Sequence, residues 1–146
     1  GDSRAYRLHL GKLERLTTDH TYAERLRNQT SLDIPDNSPL HHVLWNVLGG
    51  GQTEAIEPDI QRHELEATDT LLLCSDGLTK HLDDAAMTLI LNASRTSGEA
   101  CANLVQAANA AGGSDNITAV VVRRQRPTAA APYDPDGPTK VVMRTR

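Results

Sequence analysis

The sequence lacks any run of some 18 consecutive apolar residues, the length that a bilayer's hydrocarbon core demands of a helix, so a membrane-spanning helix is not expected. Its first residues, GDSRAYRL, resemble neither a signal peptide nor a transit peptide. A soluble, cytoplasmic chain is the expectation. Positive charge is also scarce: 15 Lys and Arg stand against 19 Asp and Glu, for a net charge of −4. The basic residues are scattered except for Arg123, Arg124 and Arg126, which gives no broad footprint for nucleic acid. The cysteines number 2, Cys74 and Cys101, and both lie in apolar stretches without CxxC spacing. That argues against a metal clip or a redox motif, and buried reduced thiols are expected rather than a disulfide. No internal repeat is visible. Residue 1 is Gly and opens directly into a strand and turn, so the chain reads as a piece of something longer.

What is present suits one domain. A chain of 146 residues can bury a single core and hide roughly two-thirds of its unfolded surface. Residues 4–8 and 13–16 read as two short strands joined by a glycine-containing hairpin loop. Thr18 or Asp19 could cap a short helix over residues 22–27. A loop marked by Pro35, Asn37 and Pro39 then leads to an apolar segment, residues 40–48, closed by Gly49, Gly50 and Gly51. Residues 56–65 read as a strand with Pro58 near its start, and residues 70–75 as a second, buried strand.

A helix is expected from Asp83 or Asp84 to about Asn92, with Ala86, Met87, Ile90 and Leu91 on one face. A second begins at Ser97 and turns Cys101, Leu104, Val105 and Ala108 inward. Gly112 and Gly113 supply its left-handed stop, and residues 117–122 form a final β-branched strand. From Arg126 onward the composition shifts to Pro, Ala, Asp and Gly, too poor in large apolar residues to offset ordering entropy. The domain is therefore placed at residues 1–125 and a tail or linker at 126–146. Within the tail, Val141, Val142 and Met143 could dock as an edge strand, although short terminal segments usually fray.

The chemistry-bearing residues stand where strands end. In LLLCSDGL an apolar run stops at Ser75, Asp76 and Gly77, which would put the Asp76 carboxylate at a strand's mouth. In GGSDNITAVVV, Asp115 lies between a helix stop and a strand start. Two antiparallel helices between them can return the chain to a neighbouring strand and bring both acids to one rim. Carboxylates so placed repel unless a cation sits between them, and hard oxygen donors favour Mg²⁺ or Mn²⁺ over zinc. Asp2 in GDSR is a third acid beside a glycine. Each motif has a plain alternative: Asp-Gly is a common turn dipeptide, Gly-Gly followed by Ser-Asp-Asn is a common helix exit, and residues 1–3 could be a loop.

The order GDSRAYRL, LTTDHT, LWNVLGG, LLLCSDGL and GGSDNITAVVV resembles the C-terminal half of the metal-dependent protein phosphatases of type 2C, in the compact bacterial form. The resemblance spans residues 1 to about 122. It implies an α+β fold, a layered α-β-β-α sandwich of two antiparallel sheets flanked by helices, of which only the C-terminal part is present. It also implies two or three Mg²⁺ or Mn²⁺ ions at one end of the sandwich, where a metal-activated water attacks a phosphoserine or phosphothreonine without a covalent enzyme intermediate. Matched to the family's motifs, Asp76 and Asp115 look like direct metal ligands, and Asp2 like a ligand of a third, weaker metal shared with Asp76. Gly77 would permit a tight backbone turn, and Asn116 would orient Asp115 or bound water. No residue of this chain is assigned as a catalytic group.

His20 matches a family position, but a structural imidazole is the simpler reading. His41 and His42 would point apart on any regular element and make a poor ligand pair. His9, His63 and His81 read as isolated and exposed, and Arg4 as a brace for the neighbouring turn. The family's N-terminal DGxGG segment, an earlier acidic ligand and a phosphate-binding arginine have no counterpart here. The expectation is thus the C-terminal part of a serine/threonine phosphatase, with a cognate kinase and its phosphoprotein substrates as partners and with activity belonging to the complete polypeptide. A phosphatase domain within a larger signalling protein is compatible with the tail. The alternative is a non-catalytic phosphatase-like module that binds phosphoproteins or another regulator, against which the retention of Asp2, Asp76 and Asp115 together argues.

Overall fold

Alternation builds the first strand. In β1 (Arg4–His9) Tyr6 and Leu8 are buried, and the chain reverses through Leu10 and Gly11, both at positive φ, into β2 (Lys12–Arg15). In a computed structural model that describes residues 1–30, 32–35, 37–48 and 58–124, β1 and β2 lead to helix α1 (Tyr22–Thr30), then to a 3₁₀ turn at Pro39–His41. There follow β3 (Thr70–Cys74), the single-turn helix α2 (Asp76–Thr79), helices α3 (Asp84–Ala93) and α4 (Ser97–Ala110), and β4 (Ala119–Arg123). The four strands form one antiparallel sheet in the order β2-β1-β3-β4.

Register decides which face is core. Tyr6 pairs with Leu72 and Leu72 with Val121, so the three lie in one row on one face. They join Leu8, Cys74, Leu78, Met87, Leu91, Ala100, Leu104 and Ala108 in a continuous apolar cluster beneath α3 and α4. Each fully buried Leu or Met here stabilises the fold by about 2–5 kcal/mol relative to Ala. The opposite face carries Ala5, Leu71, Leu73, Val120 and Val122 in matching register, and there Leu73, Val120 and Val122 are 42, 41 and 50% exposed.

Both long helices are capped as their sequences require. Asp83 accepts the Ala86 amide at the start of α3. At its end the Arg123 guanidinium reaches across from β4 and donates to the carbonyls of Leu91 and Ser94. Thr96 accepts the Glu99 amide at the start of α4, while the Glu99 carboxylate takes the Arg95 amide, a variant of the capping box. Gly113, at φ 53°, closes α4 by donating to the carbonyl of Ala108.

Several expectations need correction. The strand expected over residues 56–65 is absent from its described part, 58–65, which is exposed throughout, Ile60 and Leu65 included. Helix α1 is capped by Thr21 rather than Thr18 or Asp19, because the Asp19 carboxylate is taken by Arg4. Residues 40–48 form no regular element beyond the end of the 3₁₀ turn and a single bridge from Leu44 to Thr21. The described residues hold one four-stranded antiparallel sheet with its helices, an α+β part of the expected two-sheet sandwich. The glycine run at 49–51, the tail at 126–146 and the candidate edge strand at 141–143 lie outside the described residues. Cys74 is buried and Cys101 half-buried, and both are free thiols.

Candidate metal centre at the sheet rim

Strand pairing continues past the formal end of β3 and fixes the first acid. The Ser75 amide donates to the carbonyl of Thr118, and its hydroxyl donates to the carbonyl of Asn116 while accepting the Thr118 amide. Ser75 is therefore a clasp that joins the exit of β3 to the approach of β4. Asp76 follows at once as the first residue of α2, and Asp115 lies just before the clasp on the other side.

Gly77 brings the two segments together. It is buried, and a Cβ at this position would meet the Asn116 carbonyl oxygen at 2.4 Å and the Asp115 Cβ at 3.4 Å. Its φ is not positive, so its role is close approach and not the turn expected from sequence. Asn116 acts on Asp115 through its backbone: its amide donates to Asp115 Oδ1 at 2.8 Å. The loop is braced on its far side by His81, whose Nε2 accepts the Ser114 amide and lies 3.1 Å from the Ser114 hydroxyl. His81 is thus engaged rather than isolated.

The two carboxylates converge on one cation. Lys80 Nζ lies 2.6 Å from Asp76 Oδ2 and 2.7 Å from Asp115 Oδ2. Hydrogen bonds to Asp115 first and Asp76 second raise the Lys80 pKa well above the ordinary lysine value, against an opposing desolvation. Reciprocally, Lys80 and then the Asn116 amide hold the Asp115 carboxyl below the usual carboxylate range. Sequence patterning did not single out Lys80, although its position four residues after Asp76 at a helix start is the signal that finds it.

Asp2 enters from another direction. It lines a cavity of about 180 Å³ together with Asp76, Thr79 and Lys80, so Asp2 and Asp76 share this cavity while Asp115 meets Asp76 through Lys80. On the wall of the same cavity, Arg4 grips Asp19 with Nη2–Oδ2 2.7 Å and Nε–Oδ1 3.0 Å, a brace between β1 and the segment that follows β2. Those bonds to Asp19 raise the Arg4 pKa further. His20 is structural, with Nδ1 3.1 Å from the Asn46 amide nitrogen and its ring 5.2 Å from that of Trp45. His41 and His42, expected to diverge, both line the cavity. His9 is paired with Asp69, at Nδ1–Oδ1 2.7 Å, while His63 is exposed and bonded to Gln61.

The donor chemistry fits a hard divalent cation in part. Asp76 and Asp115 offer carboxylate oxygens to a point already held by a positive charge, as such a cation requires. Among the described residues, however, no three His, Cys, Asp or Glu side chains form a complete ligand set.

The sequence pattern of the family described as Stage II sporulation protein E (SpoIIE) matches residues 7–125. The chain belongs to this family, the bacterial phosphatase domains of the metal-dependent type 2C class. Among its relatives, the serine/threonine phosphatase stp of Listeria innocua is 37% identical over 126 residues, which cover 85% of this chain and 49% of that protein. The Streptococcus agalactiae serine/threonine phosphatase superposes with a TM-score of 0.76 at 33% identity, over 84% of this chain and 51% of the other. The catalytic domain of PstP, crystallised with two manganese ions, superposes with a TM-score of 0.66 at 31% identity, over 83% and 49%. The chain spans about half the length of the relatives it matches first.

Proposed function

We propose that this chain is the C-terminal half of a serine/threonine protein phosphatase that hydrolyses phosphoserine and phosphothreonine in other proteins. The observation that carries the reading is the convergence of Asp76 and Asp115 on one cation at the sheet rim, in a chain related to serine/threonine phosphatases. Asp76 and Asp115 are the metal ligands of this half, and Asp2, which lines the same cavity as Asp76, is the ligand of a further ion. Mg²⁺ or Mn²⁺ suits these oxygen donors, and the relative PstP was crystallised with manganese. Bound there, the metals supply the activation of water and the neutralisation of charge on the phosphoryl group. What this chain contributes is orientation: Gly77, Ser75 and the Asn116 amide hold the two carboxylates at fixed places on a rigid sheet.

The remaining ligands belong to an upstream half bearing DGxGG, whose sheet covers Leu73, Val120 and Val122 and completes a two-sheet sandwich. A contiguous exposed apolar sheet face of this kind needs such a cover. A groove of about 510 Å³ lies beside it, between Ala5, Leu71 and Leu73 of the sheet and Asp59, Gln61 and Leu65. A cytoplasmic location, phosphoprotein substrates and a cognate serine/threonine kinase go with this reading.

The test is Mn²⁺-dependent phosphate release from a phosphothreonine peptide by this chain joined to its upstream half, compared with Asp76→Asn and with chelator. Activity lost in both controls supports the phosphatase. Silence of the joined protein would favour a non-catalytic module that binds phosphoproteins.

A further inference from the structure

Lys80 has no place in the ligand set, yet its ammonium stands where the two acids meet, bonded to both. We propose that Lys80 is a built-in counter-ion that holds Asp76 and Asp115 together in the metal-free protein and competes with the divalent cation for them, thereby setting how tightly the site takes metal. This rests on the reading of Asp76 and Asp115 as ligands.

Three features of the geometry support the role. The backbone of Lys80 is fixed at the end of α2, where its amide donates to the carbonyl of Asp76 at 2.9 Å, so the side chain starts from a defined place one turn beyond the acid. Among the described residues Lys80 is the one cation in ion pairing with either carboxylate. Its side chain is 34% exposed, so the ammonium can leave for water without stranding a buried charge. A lysine suits this better than an arginine, whose bidentate fork on a carboxylate would be harder to displace.

The expected behaviour follows from mass action. Without Lys80 the two carboxylates repel in the metal-free protein, which destabilises it. The arriving cation then has no bond to displace and binds more tightly. Exposed ion pairs are individually weak, so the gain is about three- to tenfold in Kd and not several orders of magnitude.

The experiment is equilibrium dialysis against Mn²⁺, with thermal unfolding of the chelator-stripped protein, on full-length wild type, Lys80→Gln, Lys80→Met and Asp76→Asn. Both Lys80 variants should bind Mn²⁺ about three- to tenfold more tightly than wild type and melt at a lower temperature when stripped. A Lys80 variant that unfolds when stripped but refolds on Mn²⁺ supports the counter-ion equally. Equal or weaker Mn²⁺ binding by both Lys80 variants, with wild-type binding still dependent on Asp76, overturns the counter-ion alone. Wild-type binding indifferent to Asp76→Asn overturns the ligand reading and the counter-ion with it.

Discussion

The Cα of Gly77 rests against the backbone carbonyl of Asn116 so closely that a methyl group there would lie 2.4 Å from the oxygen. Neither partner is free to yield: Gly77 is in a helix, and the Asn116 carbonyl is held by the Ser75 hydroxyl. Gly77→Ala should therefore force the 115–116 loop outward, separate Asp115 from Asp76 and cost about 1–3 kcal/mol of stability. Urea unfolding and Mn²⁺ titration check both effects. An alanine variant with wild-type stability and metal affinity would show that the contact is slack.

Arg123 plays the bracing part at the opposite end of the sheet. Its guanidinium satisfies the carbonyls of Leu91 and Ser94 at the end of α3 and also bonds the Thr70 hydroxyl. Arg123→Met keeps much of the apolar stem but leaves those carbonyls without their donor, for an expected loss of about 2 kcal/mol. Hydrogen exchange should show the loss concentrated in the last turn of α3. Uniform protection would contradict the capping role.

Asp69 supplies a pH signature away from the metal rim. The hydrogen bond from His9, and then the Glu66 amide, hold its carboxyl below the usual range. A depressed carboxyl contributes stability that is fully present above the unfolded value, near pH 4, and is lost as the pH falls through the lower folded value. The melting-temperature gap between wild type and Asp69→Asn should hence close as the pH falls below about 4. A gap that widens on acidification would have the wrong sign.

The two thiols should differ in reactivity. Burial pushes the Cys74 thiol up to about 11, so at about pH 8 it is almost wholly protonated within the core. Iodoacetamide should label Cys101, half-buried on α4, well before Cys74 in the folded protein. Mass spectrometry of the labelled peptides reads the order directly, and equal rates would indicate that the core opens at Cys74.

Much of this arrangement could be read from local signals. Asp83, Thr96, Gly112 and Gly113 punctuate α3 and α4 through interactions with their immediate neighbours, and the apolar run of β3 stops where its buried row stops. What escaped depends on contacts distant in sequence. Asp19 could have capped a helix, but Arg4 on the adjoining strand claims it. His81 and Ser114 meet only because α4 returns the chain, and His9 finds Asp69 across the paired strands β1 and β3. Residues 58–65 show the reverse failure, a strand-like stretch with too little to bury. Lys80 escapes for another reason: a charged residue at a helix end is ordinary until a second acid arrives from across the fold.

The clasp at Ser75 has an evolutionary corollary. Both acids that meet at Lys80 stand beside paired backbone, Cys74 opposite Ala119 and the serine bonds just beyond, and neither lies in α3 or α4, the two long helices that separate them in sequence. The α3–α4 hairpin is bounded at this rim by the His81–Ser114 brace, which joins the segments just before α3 and just after α4. Its outer surface is consequently a region where insertions and new docking features can accumulate while the carboxylates keep their places. Diversification among such domains would be concentrated on that hairpin, with the chemistry at the rim left unchanged.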